Sequence, residues 1–374
     1  MNISVGIVGL PNVGKSTLFN ALLKKQVALA ANYPFATIEP NVGVVDVPDE
    51  RLKVLADVIA RDPSGNLRMT RPPIVPAIVQ FYDIAGLVKG ASTGEGLGNK
   101  FLAHIREVAA ICHVVRLFED SNVVHVSPTL DPLSDIEVIE TELMMADLGT
   151  LDKQKEPRGN EDKELHRQWE VIKKVRESIN KGIPVRKLEL NAEEKKLIKP
   201  LSLLTTKPVI FLFNVSENQL SEREKTLHSI RSLLTKRGEN ENAGLYFCAK
   251  LENEVLSLSE SEQKEYLAQY QLNETGLNRL IQKAYEILGL ISFLTAGEIE
   301  VRAWTITKGT LAAQAAGTIH TDFEKKFIKA DLVPYQTFVE LNGWLKCREE
   351  GKVESVGRDF EMKDGYVVEF KIGS

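Results

Sequence analysis

A glycine-rich loop near the start of the chain has the residue types and spacing of a phosphate-binding site. Residues 9–17 read GLPNVGKST and match the pattern G-x-x-x-x-G-K-[ST]. The glycines let backbone N–H groups turn inward, and the following helix adds the partial positive charge of its N-terminus. Lys15 would act as a catalytic group that bridges the β- and γ-phosphates, and the Ser16 hydroxyl would ligate Mg²⁺. The predicted nucleotide contacts are Asn12, Val13, Gly14, Lys15, Ser16 and Thr17.

Two later segments supply candidates for the rest of a magnesium and γ-phosphate site. Thr37 lies in a proline-bounded loop, where switch-type NTPases place a threonine that joins the magnesium shell. The alternative for Thr37 is an ordinary loop threonine. Residues 83–86 read DIAG and end an apolar strand. We predict an outer-sphere magnesium contact from Asp83 and a catalytic γ-phosphate contact from the Gly86 amide.

The residue that would orient the attacking water is missing from its usual position. Leu87 stands where Ras-like enzymes have a glutamine, and a leucine side chain cannot accept a hydrogen bond. Catalytic assistance must therefore come from elsewhere. His125 is a candidate base because imidazole transfers protons near neutral pH, and the alternative is a hydrogen-bonded loop histidine.

The segment expected to recognise the base departs from the guanine-specific pattern N-K-x-D. Residues 214–217 read NVSE, so Val215 replaces the lysine and Glu217 extends the carboxylate by one methylene group. A bidentate contact with guanine tolerates this shift poorly. Adenine fits at least as well, with its amino group bound by the Asn214 side chain or the Val215 carbonyl. Ala249, in a second loop, is predicted to lend a backbone amide to the base.

Apolar runs predict the strands that position these loops. They cover residues 3–7, 78–82, 111–117, 209–213 and 245–247. Residues 62–76 are rich in Pro, Gly and Arg and predict a surface loop. An amphipathic helix over residues 276–287 would close this α/β domain, which we assign to residues 1–132 and 201–288.

Between residues 133 and 200 the apolar spacing changes to that of long helices. A third helix is predicted to begin at Asn191, with Glu194 as its capping-box partner. We interpret residues 133–200 as an inserted helical hairpin. Its exposed charges are typical of a solvated face, and a role in partner binding is a hypothesis.

Residues 289–374 predict a small α+β unit with a ubiquitin-like arrangement of strands around a helix. We predict a helix that Thr321 or Asp322 caps and that carries Phe323, Phe327 and Ile328. Residues 366–372 predict the last strand. Any RNA contact of this unit would use a local patch, and Lys325, Lys326 and Lys329 are the candidates.

Composition narrows the class of protein. A hydrophobic content of 43% and a charged content of 26% are those of an ordinary globular protein. The net charge of −5 argues against wrapping nucleic acid by bulk electrostatics. The three cysteines are far apart and predict neither disulfides nor a zinc site. No signal peptide or membrane-spanning run is visible, so we expect a cytoplasmic protein without membrane contact.

Taken together, the motifs closely resemble the YchF subfamily of Obg-related P-loop NTPases. The resemblance rests on residues 9–17, 35–41, 83–91 and 214–217 and on the C-terminal unit, which is similar to a TGS domain. It implies a nucleotide-binding Obg-type G domain of the TRAFAC class with a mostly parallel sheet, a coiled-coil-like helical insertion and a TGS domain. It also implies an ATPase that prefers ATP to GTP and associates with the ribosome. The partner would be the large ribosomal subunit or the whole ribosome.

The resemblance also assigns roles to particular residues. The family's nucleotide contacts fall on residues 12–17, its magnesium ligands on Ser16 and Thr37, and its adenine contacts on Asn214 and Val215. Asn12 is similar to an asparagine that coordinates K⁺ near the phosphates in related NTPases. We therefore expect Mg²⁺, and K⁺ as a second cation. The alternatives are a nucleotide-gated adaptor whose hydrolysis is incidental and a GTP-specific GTPase.

Overall fold

The fold was obtained as a computed structural model. It describes residues 3–30, 41–61, 66–67, 70–84, 97–119, 130–157 and 163–373. The chain divides into two compact units, Met1–Val45 with Gln80–Leu280, and Asp46–Val79 with Ile281–Ser374. Within the described residues, no helix has both the length and the apolar character needed to cross a membrane.

The bounds of the regular elements follow in chain order. The strands are β1 (Ser4–Val8), β2 (Val42–Asp46), β3 (Ile74–Val75), β4 (Ile78–Asp83), β5 (Ala110–Arg116), β6 (Val209–Asn214), β7 (Gly244–Phe247), β8 (Leu290–Ala296), β9 (Val301–Thr307), β10 (Phe327–Pro334), β11 (Glu354–Val356) and β12 (Tyr366–Ile372). The helices are α1 (Lys15–Ala30), α2 (Glu50–Ile59), α3 (Leu97–Glu107), α4 (Pro132–Leu151), α5 (Lys163–Asn180), α6 (Ala192–Ile198), α7 (Glu217–Ser221), α8 (Arg223–Lys236), α9 (Ala249–Val255), α10 (Glu260–Gln269), α11 (Gly276–Ile287), α12 (Ala312–Ile319), α13 (Thr321–Lys325), α14 (Tyr335–Glu340) and α15 (Trp344–Glu349).

The first unit is built on a sheet with the strand order β2-β4-β1-β5-β6-β7. Strand β1 pairs in parallel with β4 and β5, and the pairs β5–β6 and β6–β7 are parallel as well. All residues of β1, β5 and β6 are buried, which agrees with their nearly continuous apolar sequences. Because the strands are parallel, their carboxyl ends and the loops that follow them meet at one edge.

A histidine is buried in the middle of this sheet. His113 lies on β5 beside Phe211 of β6, with ring centroids 5.9 Å apart. Burial is the main reason that the pKa of His113 is lowered to about 3. The negative charge of Glu140 acts to raise this pKa, whereas the positive charges of Arg186, Arg237 and Lys15 lower it further. The imidazole is therefore neutral in the folded protein at pH 7 and at mildly acidic pH.

We expect His113 to make the fold sensitive to acid. The unfolded chain takes up a proton below about pH 6.5, whereas the folded chain does so only near pH 3. Stability is therefore lost as the pH falls between these values, by about 2 kcal/mol from pH 6.5 to 4.5. Urea titrations at several pH values should show a smaller loss for His113→Gln than for wild type. His228→Gln, at an exposed site of α8, is the control, and equal acid sensitivity of wild type and His113→Gln would contradict the assignment.

The helical segment packs on itself and is fastened to the strand that follows it. Buried side chains of α4, α5 and α6 form one cluster that includes Leu151, Val175 and Ile198. The Asp147 carboxylate accepts hydrogen bonds from Leu204 N at 2.7 Å and Thr205 N at 2.9 Å. These bonds tie α4 to the chain just before β6.

The predicted capping box of the third helix is confirmed. Asn191 Oδ1 accepts from Glu194 N at 2.9 Å, and Glu194 Oε2 accepts from Asn191 N at 2.8 Å. The helix begins at Ala192 because both groups satisfy backbone donors of its first turn.

The second unit contains a sheet with the order β11-β10-β12-β8-β9-β3. Its pairs β8–β9, β10–β12 and β10–β11 are antiparallel, and α12 contributes a row of buried alanines to the core beside it. The predicted last strand is confirmed as β12.

Three details of this unit differ from the sequence prediction. Phe327 and Ile328 do not belong to a helix, because α13 ends at Lys325 and β10 begins at Phe327. Pairing of β10 with β12 overrides the local helical spacing. The predicted surface loop 62–76 contains the strand Ile74–Val75, which pairs in parallel with β9. His320, and neither Thr321 nor Asp322, is the N-cap of α13.

Candidate functional site

The phosphate loop connects the end of β1 to the start of α1. Gly14 has φ +104°, a value that L side chains rarely adopt. A Cβ atom at this position would lie 2.4 Å from Asn214 Nδ2. Asn12 also has a positive φ, +62°, which asparagine tolerates better than most residues. The loop conformation therefore depends on Gly14, which the motif specifies, and on Asn12, which stands at one of its variable positions.

Lys15 and Asp83 form the charged centre next to this loop. Lys15 is buried, and its Nζ atom donates to the Leu10 carbonyl at 2.7 Å. Burial lowers the pKa of Lys15, and the negative charge of Asp83 partly offsets that effect. Asp83 ends β4 opposite Ile7 of β1. Burial raises the pKa of Asp83, with Lys15 acting in the opposite direction.

Asn214 joins the phosphate loop to the start of α9. Its Nδ2 atom donates to the Val13 carbonyl at 3.0 Å, and its Oδ1 atom accepts from Ala249 N at 3.2 Å. The side chain is buried, and Val215 N donates to the Phe247 carbonyl at 2.9 Å. A single amide side chain thus fixes the phosphate loop, the end of β6 and the start of α9 relative to one another.

The loop after β6 turns into α7 through a capping box. Ser216 Oγ accepts from Gln219 N, and Gln219 Nε2 donates to the Leu117 carbonyl at 3.0 Å, which ties this loop to the end of β5. Glu217 is the first residue of α7, and its carboxylate lies 3.1 Å from Lys250 Nζ. This ion pair is largely exposed.

These loops surround a cavity of about 560 Å³ at the carboxyl edge of the sheet. This volume is in the range of a nucleotide-sized site. The residues that line it are Asn12, Gly14, Lys15, Ser16, Thr17, Phe118, Glu119, Asn214, Val215, Ser216, Glu217, Cys248, Ala249 and Lys250. A glycine-rich loop before a helix N-terminus, a lysine and a cavity of this volume can together hold a nucleoside triphosphate.

Comparison with known proteins agrees with this geometry. Residues 4–134 match a family described as 50S ribosome-binding GTPase, and residues 290–373 match one described as Protein of unknown function (DUF933). The chain is 44% identical over 375 residues to the ribosome-binding ATPase YchF of Bacillus subtilis and 46% identical to that of Escherichia coli O157:H7, with 99% of each chain covered. The chain belongs to the YchF family. A solved YchF GTPase structure from Schizosaccharomyces pombe matches with a TM-score of 0.85 and 38% identity, covering 99% of this chain and 98% of that one.

Family membership confirms the resemblance and the fold class predicted from the motifs. The YchF chain has an α/β P-loop NTPase domain with a mostly parallel sheet, followed by the C-terminal YchF domain. The helical segment 133–200 lies within the first compact unit, and residues 46–79 group with the C-terminal unit. The three-part division at residues 132, 200 and 288 stays a prediction.

The structure brings most of the predicted nucleotide contacts of this YchF protein to one cavity. Of the predicted phosphate-loop contacts only Val13 is not among the lining residues, and its carbonyl is bound by Asn214. Asp83 lies beside Lys15 but does not line the cavity. Thr37, Gly86, Leu87 and His125 lie outside the described residues.

Phe118 and Lys250 are cavity residues that the sequence did not single out. The Arg116 guanidinium carbon lies 4.5 Å from the centroid of the Phe118 ring, and Arg116 Nε donates to the Phe118 carbonyl at 3.0 Å. The sequence contained a signal for Phe118, because this residue lies two positions after the end of β5, at the carboxyl edge of the parallel sheet. Lys250 directly follows Ala249, and both lie in the first turn of α9 rather than in the loop predicted for Ala249.

P-loop NTPases generally use Mg²⁺, and the donors of this YchF chain fit that ion. Ser16 and Asp83 offer a hydroxyl and a carboxylate oxygen, which are the hard donors that Mg²⁺ prefers alongside phosphate and water. In the described part of the chain, no three His, Cys, Asp or Glu side chains form a group able to hold a metal by themselves. A magnesium ion here would therefore depend on the phosphates of the bound nucleotide.

Proposed function

We propose that the protein binds ATP in the cavity at the phosphate loop and hydrolyses it slowly. It binds and hydrolyses GTP less well than ATP. It associates with the ribosome as a translation-linked molecular switch. The curated relatives are named ribosome-binding ATPases, whereas the fission-yeast structure and one family description use the word GTPase. The choice of base therefore has to be argued from the contacts in the cavity.

The engaged amide of Ala249 is the observation that carries the preference for adenine. Ala249 N–H donates to Asn214 Oδ1 in the interior, so it meets the O6 carbonyl of a guanine only by giving up that bond. Leaving a buried acceptor without a partner costs about 1–3 kcal/mol, or roughly 5- to 150-fold in affinity. Adenine has an amino group at that position, which needs an acceptor, and the Val215 carbonyl is our candidate.

Two other contacts at the base discriminate less. Asn214 Nδ2 has a second proton, and we assign it to N7, an acceptor common to both purines. The Glu217–Lys250 ion pair occupies the carboxylate that guanine would need. An exposed pair of this kind is worth about 0.2–1 kcal/mol, so it is easily broken. The buried amide therefore outweighs the ion pair.

Hydrolysis would proceed by in-line attack of water on the γ-phosphorus. The bond to the oxygen that bridges the β- and γ-phosphates breaks, and ADP and inorganic phosphate form. Lys15 and the loop N–H groups stabilise the charge on the phosphoryl oxygens, with a contribution from the Gly86 amide. Mg²⁺ supplies further charge neutralisation, and Ser16, Thr37 and Asp83 are the residues that we assign to it.

The absence of a glutamine at position 87 implies slow basal turnover. His125 is the candidate that positions or deprotonates the water, and Asn12 is the candidate ligand for K⁺ near the phosphates. In related enzymes an arginine supplied by a partner raises the rate about 10³- to 10⁵-fold. We expect phosphate release to rise when ribosomes or K⁺ are added. Unchanged release under both conditions would contradict this coupling.

Side-by-side calorimetric titration with ATP and GTP in the presence of Mg²⁺ tests the base preference. We expect ATP to bind about tenfold more tightly, which corresponds to about 1.4 kcal/mol. GTP binding tenfold tighter than ATP binding would overturn the proposal and support a GTP-specific enzyme.

A double variant separates the role of the Ala249 amide from that of the carboxylate. Val215→Lys combined with Glu217→Asp restores the pattern N-K-x-D but leaves the Asn214–Ala249 bond in place. We expect GTP affinity to improve without exceeding ATP affinity. A full reversal to GTP would show that the carboxylate, and not the amide, sets the preference. Glu222→Asp, at an exposed site near the same helix, is the control.

Ribosome association is proposed from the relatives' names and tested by co-sedimentation with ribosomes. The partner is the large subunit or the whole ribosome, with RNA contacted through the C-terminal or helical domain.

We propose three functional domains: the nucleotide-binding domain (residues 1–132 and 201–288), the helical domain (residues 133–200) and the C-terminal domain (residues 289–374). A nucleotide-gated adaptor is the second candidate, and Leu87 favours it because the chain lacks the usual water-orienting side chain.

A further inference from the structure

A second cavity lies at the edge of the sheet opposite the phosphate loop. It measures about 620 Å³ and is bounded by the end of α3, the turn at Val185–Lys187, α6 and the residues that lead into β6. Strand β6 begins at Val209 next to this cavity and ends at Asn214 in the nucleotide cavity. The two cavities are therefore roughly one strand length apart, about 17–20 Å.

The floor of this second cavity is apolar. Val185, Leu190, Ile198 and Leu203 line it, and all four are buried members of the core of the helical segment. The Ser202 residue at the rim has φ +48° and is exposed. A floor of this kind favours a ligand with an apolar or planar body.

The cationic side chains that line this cavity are Arg106, Arg186, Lys195, Lys199 and Lys207. No aspartate or glutamate is among its described lining residues. The nearby Asp147 carboxylate lies beneath the cavity and accepts bonds from Leu204 N, Thr205 N and Thr205 Oγ1. The rim therefore has an excess of positive charge.

Part of this positive charge is already used by the protein. Arg186 pairs with the carboxylates of Glu140 and, at 2.6 Å, Glu239. Lys207 Nζ donates to the carbonyls of Arg106, at 3.1 Å, and Val108, which leaves one of its three protons. Burial lowers the pKa of Lys207, and Asp147 opposes the change.

Three cations remain for a ligand. The described part of the chain shows no hydrogen bond or ion pair to the side chains of Arg106, Lys195 or Lys199. Lys195 is in α6, and Lys199 is its C-cap residue with a helical backbone conformation. The two are four residues apart and so lie on one face. The Asp147 carboxylate interacts electrostatically with Arg106 and Lys207, and this single negative charge offsets only part of the positive charge around the recess. Cations grouped around an apolar recess attract an anion, since their mutual repulsion is relieved when it binds.

We propose that this cavity binds a small anionic ligand in which a phosphate group is joined to an apolar or planar body. The phosphate would lie among Arg106, Lys195 and Lys199, with Lys207 deeper in the cavity, and the body would rest on the apolar floor. The volume is in the range of small-molecule sites. Single-stranded RNA instead uses an extended cationic groove with aromatic side chains, and no aromatic residue is among the described lining residues.

Calorimetry with 1-naphthyl phosphate tests this proposal. Inorganic phosphate provides the charge without the body, and 1-naphthol provides the body without the charge. We expect 1-naphthyl phosphate to bind at least tenfold more tightly than either. Equal affinity for all three compounds, or no binding of 1-naphthyl phosphate, would overturn the proposal.

Matched variants locate the binding site. Lys195→Gln combined with Lys199→Gln should weaken 1-naphthyl phosphate binding at least tenfold, and Lys196→Gln, on the same helix but outside the cavity, should leave it unchanged. Thermal unfolding verifies that each variant is folded. Equal weakening by Lys196→Gln would show a non-specific charge effect and contradict the assignment.

Two further arms separate this cavity from other anion sites. The Lys15→Met substitution lies in the nucleotide cavity, so this variant should still bind 1-naphthyl phosphate. Loss of binding by Lys15→Met would place the probe in the nucleotide cavity and overturn the proposal. A ten-nucleotide oligouridylate should bind no more weakly to the double variant than to wild type. If only the RNA bound, and did so through Lys195 and Lys199, the cavity would be an RNA contact and the small-ligand proposal would fail.

Discussion

Replacing Gly14 with alanine is expected to reduce nucleotide affinity by at least about 100-fold while the chain stays folded. The added Cβ would lie 2.4 Å from Asn214 Nδ2, and φ +104° is strained for any L side chain. Relief of the clash requires Asn214 to leave Val13 and Ala249, so the phosphate loop and the base loops would separate. Two broken buried hydrogen bonds at about 1–3 kcal/mol each account for an effect of this size.

Titration of Gly14→Ala with ATP, with circular dichroism as the test of folding, measures this effect. Gly149→Ala is the matched control, since a Cβ at Gly149 in α4 meets nothing within 4 Å. That variant should bind ATP normally and gain about 0.5–1 kcal/mol of stability from the better helix propensity of alanine. Gly14→Ala affinity within threefold of wild type would contradict the role assigned to the Asn214 hydrogen bonds.

Substitution of Lys15 by methionine is expected to lower the rate of ATP hydrolysis by about 10²- to 10³-fold. Methionine keeps an unbranched apolar stem but removes the charge that stabilises the γ-phosphoryl oxygens in the transition state. Burial disfavours the charged form of Lys15, as its lowered pKa shows, so the substitution should not destabilise the fold. Phosphate release and thermal unfolding measure the two effects.

Lys24→Met is the control for Lys15→Met, because Lys24 is exposed on the same helix and its Nζ atom donates only to Asn253 Oδ1, at 3.3 Å, among the described contacts. Its hydrolysis rate should equal that of wild type.

The Lys15→Met variant also tests the alternative that the protein is a nucleotide-gated adaptor. Ribosome binding that is equal for wild type and Lys15→Met in the presence of ATP would exclude gating by bound nucleotide.

The elements nearest the chemistry were the easiest to predict from sequence. The phosphate loop needs glycine, lysine and serine at fixed positions, so local chemistry alone predicts strand, loop and helix there. The capping box of Asn191 and Glu194 is equally local, and the structure has it as predicted. Long apolar runs such as residues 209–213 predict buried strands for the same reason.

Elements that depend on distant partners were predicted less well. Phe327 and Ile328 have helical spacing after α13, but pairing with β12 places them in a strand. Ile74–Val75 is a strand only because β9 is available beside it. In both cases the hydrogen-bond partners come from elsewhere in the chain, and a local pattern contains no information about them.

The sequence by itself determined that a phosphate loop opens the chain, that residue 87 is no water-orienting glutamine and that residues 214–217 depart from the guanine pattern. Only the tertiary structure decided that Asn214 bonds both Val13 and Ala249, and so that the amide intended for the base is already engaged. The tertiary structure also decided that Phe118 lines the nucleotide cavity. It placed Arg106, Lys195 and Lys199 together around the second cavity. The reason is physical: residue types specify which bonds a group can make, whereas the packing of remote strands and helices determines which partner is within reach.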